Sequence, residues 1–395
     1  MNIAFLLGSP DISGGTYVIF EHAIRAKKYG HDVSIITNDK INMDRLNWHP
    51  ESKILTWLTY DEAEKVKYDV VIATWWQTLF SIHKIEASTY IYFIQSIESK
   101  FYSTYEVALR RLVESTYSLE LPVITEATWI KDYIHNTYPS DVFLAYNGAR
   151  KDIYNLQAQP IQHRDKNKLR VLVEGPLGVS FKNVEKTIQL CLKSNADEVW
   201  LLTSSNIKTY PGITKLFSQV PIQETAKIYS SCDVIVKLSY VEGMFGPPLE
   251  MFHCGGTAIV YNVTGHDEYI VNEKNGIVIE RDEEQAVIQA LNRLKNDTEL
   301  LNSLKKEAIK TANAWIDWKT ASDIFRLHVE DISKHYKNSP NRLKKLTEFH
   351  MQNYIEFEDF IKKNYRLAIV KSLHNVKDKI KVKFPKLFLA LKKLT

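Results

Sequence analysis

The sequence predicts an α/β protein: two Rossmann-like, parallel-sheet domains facing each other across a cleft, followed by a basic helical tail. Three observations carry this. Short Val/Ile-rich runs alternate with amphipathic stretches from the start to about residue 280, the pattern of parallel strands covered on both faces by helices. A polar stretch, residues 157–168 (QAQPIQHRDKNK), interrupts the alternation, which then restarts. The segment 361–395 changes character, with eleven Lys/Arg against one acid. The domains expected are therefore 1–156, 169–337 and a tail, 338–395.

In the first domain the strand candidates are Asn2–Leu7, Val33–Thr37, Val70–Ala73, Tyr90–Ile94, Leu121–Thr125 and Val142–Ala145. Helical patterns lie between them at Tyr17–Lys28, Trp76–Lys84, Tyr105–Tyr117 and Trp129–Asn136. The first carries Val18, Ile19, Ala23 and Ala26 at helical spacing. Strands resume at Leu169–Val173, Val199–Leu202, Val234–Leu238, Ala258–Val260 and Gly276–Ile279. From Asp282 to about Lys337 the pattern is helical, with Ala286, Ile288, Leu291 and Leu294 as one stripe. In open α/β sheets ligands bind beyond the carboxyl ends of the strands, so chemistry is expected in the cleft.

The chain has 395 residues, 45% hydrophobic and 25% charged, which excludes a disordered or fibrous protein and allows a large core. Cys191, Cys232 and Cys254 form no CxxC pair, which argues against a disulfide scaffold or a cysteine metal site and fits a reducing compartment. No run reaches the roughly 18 apolar residues of a membrane span, and no basic segment precedes the first strand, so a cytoplasmic location is expected. The net charge of +4 divides into +10 for residues 361–395 and −6 for the rest. An acidic body excludes a general nucleic-acid binder, and no such partner is expected.

Glycine is scarce, 14 in 395, and six of the 14 fall between Gly243 and Gly276. The segment Ser239-Tyr240-Val241-Glu242-Gly243-Met244-Phe245-Gly246-Pro247-Pro248-Leu249-Glu250 follows the strand Val234–Leu238 and opens a helix with two prolines in its first turn. Gly243 and Gly246 let backbone approach a ligand closely. The helix start is expected to present free N–H groups and a positive dipole end to an anion. Glu242 and Glu250 frame that position, and a carboxylate accepts hydrogen bonds from sugar or ribose hydroxyls.

Two glutamates with seven residues between them, followed by Cys254-Gly255-Gly256, resemble the retaining glycosyltransferases of family 4, whose two-domain architecture is GT-B. The resemblance extends over about residues 1–335, through Ser13-Gly14-Gly15, Asn147-Gly148, Lys182, Gln223-Glu224, Tyr229-Ser230-Ser231-Cys232-Asp233, Glu268 and Asn275-Gly276. It implies that Glu250 holds the ribose of a nucleotide-sugar donor. Glu242 and the backbone of Gly243, Met244 and Phe245 would contact the transferred sugar, and Gly246 belongs to the donor-binding set. Gly14 and Gly15 would bring N–H groups to the phosphate, and Lys182 would neutralise the pyrophosphate, so that Glu242 and Lys182 carry the chemistry. One position departs from the pattern: the family's usual arginine, five residues before the lysine, is here Leu177, and Lys237 is the substitute at hand.

Ile94-Gln95-Ser96-Ile97-Glu98-Ser99-Lys100-Phe101-Tyr102 is similar to a segment of a bacterial subgroup that includes rhamnosyltransferases, with Ser96 where aspartate is common. Gln95 and Glu98 are the candidates for acceptor or sugar contacts, with helix capping as the alternative for Glu98. Trp75 and Trp76 could stack on a sugar or pack in the core. No two aspartates stand two residues apart and there is no HExxH spacing, so no catalytic metal and no cofactor are expected.

In the tail, Ile369, Leu373, Val376 and Ile380 recur at helical spacing amid lysines, and Leu387-Phe388-Leu389-Ala390-Leu391 follows Pro385. Such a segment suits an anionic membrane surface; a helix packed on the body is the alternative. The expected function is retaining, metal-independent sugar transfer from a nucleoside-diphosphate donor to a cell-surface polysaccharide or lipid-linked glycan. dTDP-rhamnose is the first donor and a UDP-hexose the second. An epimerase on the same fold and a non-catalytic sugar-nucleotide-binding scaffold at the membrane are the alternatives.

Overall fold

The computed structural model describes the backbone of residues 1–383 and the side chains of residues 1–364. The first sheet contains β1 (Asn2–Leu6), β2 (Asp32–Thr37), β3 (Thr56–Thr59), β4 (Tyr68–Ala73), β5 (Ala87–Ile94), β6 (Val123–Thr125) and β7 (Val142–Leu144). Its order is β3-β2-β1-β4-β5-β6-β7, all parallel. The second contains β8 (Arg170–Glu174), β9 (Glu198–Thr203), β10 (Lys215–Ser218), β11 (Val234–Lys237), β12 (Thr257–Tyr261) and β13 (Ile277–Ile279). Its order, β10-β9-β8-β11-β12-β13, is again all parallel. Each sheet steps outward through three strands and then returns to lay the fourth beside the first. That reversal opens a crevice between β1 and β4 and another between β8 and β11.

Burial on both faces explains why the strands read as unbroken apolar runs. In β1, Ala4 and Leu6 enter one core with Trp76 and Leu79, while Ile3 and Phe5 enter the other with Phe20 and Phe325. Burying each such large side chain contributes about 1.5–3 kcal/mol. The two strands missing from the sequence reading, β3 and β10, are both sheet edges and are partly exposed along most of their length. The helix expected at Trp76–Lys84 breaks into an α-turn, Trp76–Leu79, and a 3-10 turn, Ile82–Lys84.

The chain passes between domains twice, and the two passages lie against each other. The Ala149 N–H donates to the Ile316 carbonyl at 3.0 Å and the Trp318 N–H to the Ala149 carbonyl at 3.3 Å. A side chain on Gly148 would overlap the Asp317 backbone, so this close approach needs glycine. Residues 157–168 are irregular but tied to the second domain, since the Arg164 guanidinium donates to the carbonyls of Cys232, Gly255, Cys254 and Tyr229.

The sequence groups residues 169–337 together, yet the helix Trp318–His335 packs on the first sheet. Phe325 stacks on Phe5 and on His22, whose ring centroid is 4.1 Å away, and the Trp318 indole N–H donates to the Tyr17 hydroxyl at 2.8 Å. Burial pushes His22 down to about 3, so the ring is uncharged in that stack. An amphipathic stripe says only that a helix covers a sheet, not which one. The last helix, Pro340–Lys383, starts on the same domain, with Leu343 and Thr347 buried and the Arg111 guanidinium 4.4 Å from the Phe357 ring centre. The stripe Ile369, Leu373, Val376 and Ile380 and the run from Leu387 lie outside the described side chains. Among the described residues no helix is long and apolar enough to cross a membrane.

Candidate active site

Both crevices open into one cavity of ≈ 740 Å³ between the domains. Gly14, Gly15, Gln95 and Glu98 line it from the first domain; Lys182, Glu242, Gly243, Met244, Gly246 and Glu250 line it from the second. Of the catalytic, donor-binding and acceptor residues expected from the sequence, Phe245 alone is not part of the wall. It is fully buried, because its side chain fills the core beneath the turn and its carbonyl accepts from the Tyr269 hydroxyl.

On the second domain the ionised groups alternate in sign. The Lys182 Nζ lies 2.8 Å from Glu242 Oε2, and Lys237 Nζ lies 4.0 Å from Glu242 Oε1 and 2.5 Å from Glu174 Oε2. Burial alone would raise the Glu242 carboxyl, but the ammonium groups of Lys182 and Lys237 outweigh it and hold the group below the usual carboxylate range. Glu242 Oε1 is itself buried, and the Lys237 ammonium is the cation that faces it. Lys237, at the end of β11, brings a cation into the cavity that Leu177 lacks. Glu250 behaves differently: burial, then the charge of Glu174, pushes it up to about 7. Glu174 was missed in the sequence; its place at the end of β8 was the available signal.

On the first domain, Ser13 caps the helix Gly14–Tyr29, its Oγ accepting from the Thr16 N–H at 3.1 Å. The N–H groups of Gly14 and Gly15 belong to the first turn and have no intrahelical acceptor. Gly14 has open space where a side chain would be, and the Gln95 amide lies against Gly15. Glu98 does cap a helix, though not the next one: its Oε2 accepts from the Trp76 N–H at 2.8 Å and from the Tyr92 hydroxyl at 3.0 Å. Burial pushes its carboxyl up to about 8. The two tryptophans part company. Trp76 is core, its indole bonded to the Tyr102 hydroxyl, whereas Trp75 lines the cavity and stacks on Phe101. Phe101 in turn stacks on Phe181 of the second domain, with ring centres 4.6 Å apart.

The helix Gly246–His253 does not supply the free N–H groups expected of its start. Pro247 and Pro248 have none, and the Gly246 N–H donates to the Met244 carbonyl at 3.0 Å. The backbone beside Glu242 is also partly committed. The Met244 N–H donates to Glu126 Oε1 at 3.0 Å, and the Gly243 carbonyl accepts from the Trp129 indole at 3.1 Å. Gly243 is needed for this meeting of domains, since a side chain there would overlap the Gln95 carbonyl oxygen. Glu126 and Trp129 were not found by sequence reasoning. They lie 118 and 114 residues from their partners, and only the position of Glu126 just after β6 pointed to the cleft. Among the described residues no cluster of three or more His, Cys, Asp or Glu side chains could hold a metal ion.

Residues 206–311 match the model of the family described as Glycosyl transferases group 1, a span that includes Lys237, Glu242 and Glu250 but not Lys182. No curated protein matches the chain. Among solved structures, the chain is similar to sucrose-phosphate synthase from Thermosynechococcus elongatus, with 15% identity, a TM-score of 0.68, and coverage of 85% of this chain and 100% of that one. It is similar to HepE of Anabaena in complex with UDP-glucose, with 14% identity, a TM-score of 0.67, and coverage of 84% and 100%. It is also similar to TarM of S. aureus, solved with UDP, with 10% identity, a TM-score of 0.66, and coverage of 84% and 99%. The chain thus has the GT-B fold, and residues 206–311 of its second domain match the glycosyl transferases group 1 model.

Proposed function

We propose that this protein is a retaining, metal-independent glycosyltransferase that moves one sugar from a nucleoside-diphosphate donor to a hydroxyl of a cell-surface polysaccharide or lipid-linked glycan. The observation that carries it is convergence: Lys182, Glu242 and Glu250 from one domain and Gly14-Gly15 from the other line a single cavity. The diphosphate would take the place of the Glu242 carboxylate at Lys182 and meet the first-turn N–H groups of Gly14 and Gly15. Glu242, released, would accept hydrogen bonds from the sugar, and Glu250 from the ribose. Gln95 would face the acceptor, with Glu98 behind it holding the Trp76 N–H.

The acceptor oxygen would bond to the anomeric carbon on the face from which the phosphate leaves. As the sugar–phosphate bond breaks, a departing phosphate oxygen takes the acceptor's proton, and no protein nucleophile enters the balance. Placement between two domains excludes water that would otherwise hydrolyse the donor. dTDP-rhamnose is the first donor to test and UDP-hexoses the next, and turnover is expected to survive excess EDTA. The basic segment 361–395 would hold the enzyme on anionic lipid at about 1 kcal/mol per Lys/Arg. Its deletion should abolish co-sedimentation with anionic vesicles.

The deciding experiment is a thermal-shift panel of nucleoside diphosphates and their sugars, followed by product analysis with an acceptor. A ligand at 100 times its dissociation constant stabilises the fold by about 2.7 kcal/mol. If no nucleoside diphosphate shifts the transition, the proposal fails.

A further inference from the structure

One peptide group of the donor loop is held at both ends by the other domain. The amide between Gly243 and Met244 gives its N–H to Glu126 and receives, at its carbonyl, the indole N–H of Trp129. Glu126 is 4% exposed and both its oxygens are used, the second accepting from Asn147 Nδ2 at 2.8 Å. Asn147 sits where the chain first leaves the first domain, and its carbonyl accepts from the Trp315 indole, at 2.9 Å, where the chain returns. An unbroken series of hydrogen bonds therefore runs from the paired chain passages to the loop beside Glu242. The flanking N–H groups of Gly243 and Phe245 have no hydrogen-bond partner among the described residues and are the loop's unspent donors.

We infer that Glu126 and Trp129 are positioning residues that fix the orientation of the Gly243–Met244 peptide when the domains meet, so that the donor loop acquires its working geometry only in the joined state. The functional half of this inference rests on the glycosyltransferase reading; the grip itself does not. A peptide rotates as a unit, so holding its N–H and its carbonyl fixes this plane and leaves only the dihedrals of Gly243 and Met244 to orient the N–H groups on either side. The grip also needs Gly243, beside which Glu126 Oε1 and the Gln95 carbonyl leave no room for a side chain. Glu126 lies in the cavity wall, and its two oxygens accept from the Met244 N–H and from Asn147.

Two variants separate the grip from mere folding. Glu126→Ala removes the acceptor, and Trp129→Phe removes only the indole N–H while keeping a ring beneath the Lys100 ammonium. Hydrogen exchange at the Met244 amide should be about tenfold faster in Glu126→Ala than in the natural protein. In both variants kcat should fall by about 10- to 100-fold while KM for the donor moves little, the signature of lost orientation. Glu126→Gln should restore most of the rate, because its carbonyl still accepts from Met244 and its amide can donate to Asn147 Oδ1, which is buried without a partner. Unchanged exchange at Met244 overturns the inference, as does faster exchange with unchanged kcat. A natural protein that binds no UDP or dTDP but still shows the exchange effect would instead overturn the proposed function.

Discussion

Two helix starts face the cavity from opposite sides, and they are built on opposite plans. The helix Gly14–Tyr29 is capped by Ser13, has no acidic residue in its first turn, and opens on two glycines whose N–H groups are free. The helix Gly246–His253 opens on Gly246, Pro247 and Pro248, and the one N–H among them is spent on Met244. Around this second start stand Lys182, Lys237, Glu174, Glu242 and Glu250. The first start offers its backbone donors directly; at the second, side-chain charge of both signs surrounds the turn and the free N–H groups are those of Gly243 and Phe245 ahead of it. The first side is ready for an anion as it stands. The charged side must first exchange a carboxylate for the ligand, since Lys182 is already paired.

The largest test of that contrast is Glu242→Gln. It should lower kcat by about 10²–10³, the usual loss for one preorganised polar group. Nucleoside-diphosphate affinity should hold or improve, because Lys182 no longer has a competing partner. A kcat within tenfold of the natural value would remove Glu242 from the site.

Next in size, the two lysines should separate stability from affinity. Lys237→Met leaves Glu174 without its close ammonium partner and Glu242 without a second cation, and a broken buried pair costs about 3–5 kcal/mol. Lys182→Met, at a side chain 23% exposed, leaves Glu242 with Lys237 as its remaining cation, so it should cost less stability than Lys237→Met and weaken UDP binding by about 10- to 100-fold. Calorimetry and thermal unfolding on both variants check this; equal effects on both measurements would erase the distinction.

The third test is pH. Glu250 titrates at about 7, raised by burial, so below that pH it is largely protonated and loses acceptor capacity. Donor affinity should rise by about tenfold from pH 6 to pH 8 and flatten above, measured with a nucleoside-diphosphate sugar. Glu250→Gln should remove the rise. On the stability side the sign is reversed: a carboxyl raised by burial costs stability as pH climbs from the unfolded value toward the folded one, so the empty protein should weaken over that range.

The smallest effect should come from the first helix start. Gly14→Pro deletes one N–H yet keeps the helix, because proline is favoured at the first helical position and Ser13 is already extended, at φ −155° and ψ 157°. UDP affinity should fall by about 3- to 10-fold with an unchanged unfolding transition. No change in affinity would mean that these N–H groups do not meet the phosphate.

What the sequence disclosed follows from how each feature is encoded. Strands buried on both faces leave continuous apolar runs, so β1 and β11 were readable, while the edges β3 and β10 carry Thr56, Thr59, Lys215 and Ser218 and left no run. Glu242, Gly243, Gly246 and Glu250 were readable because one turn and one helix carry them all. Glu126 and Trp129 were not, and Asn147 was read without its bond to Glu126, because these roles exist only where distant segments meet. Glu98 was read as an acceptor contact or a cap; the structure makes it the cap of Trp76–Leu79, a helix that precedes it in sequence.

The return of Trp318–His335 to the first sheet has a consequence for how the molecule is made. A ribosome finishes β1 to β7 well before it reaches Phe325, so the half that is synthesised first waits with Phe5 and Phe93 uncovered until the chain is nearly complete. The half encoded without interruption, between the two passages, can mature earlier. A gene fragment that stops at residue 156 would therefore yield a sticky, unfinished product, and separating the halves requires cutting in two places and keeping both outer pieces together.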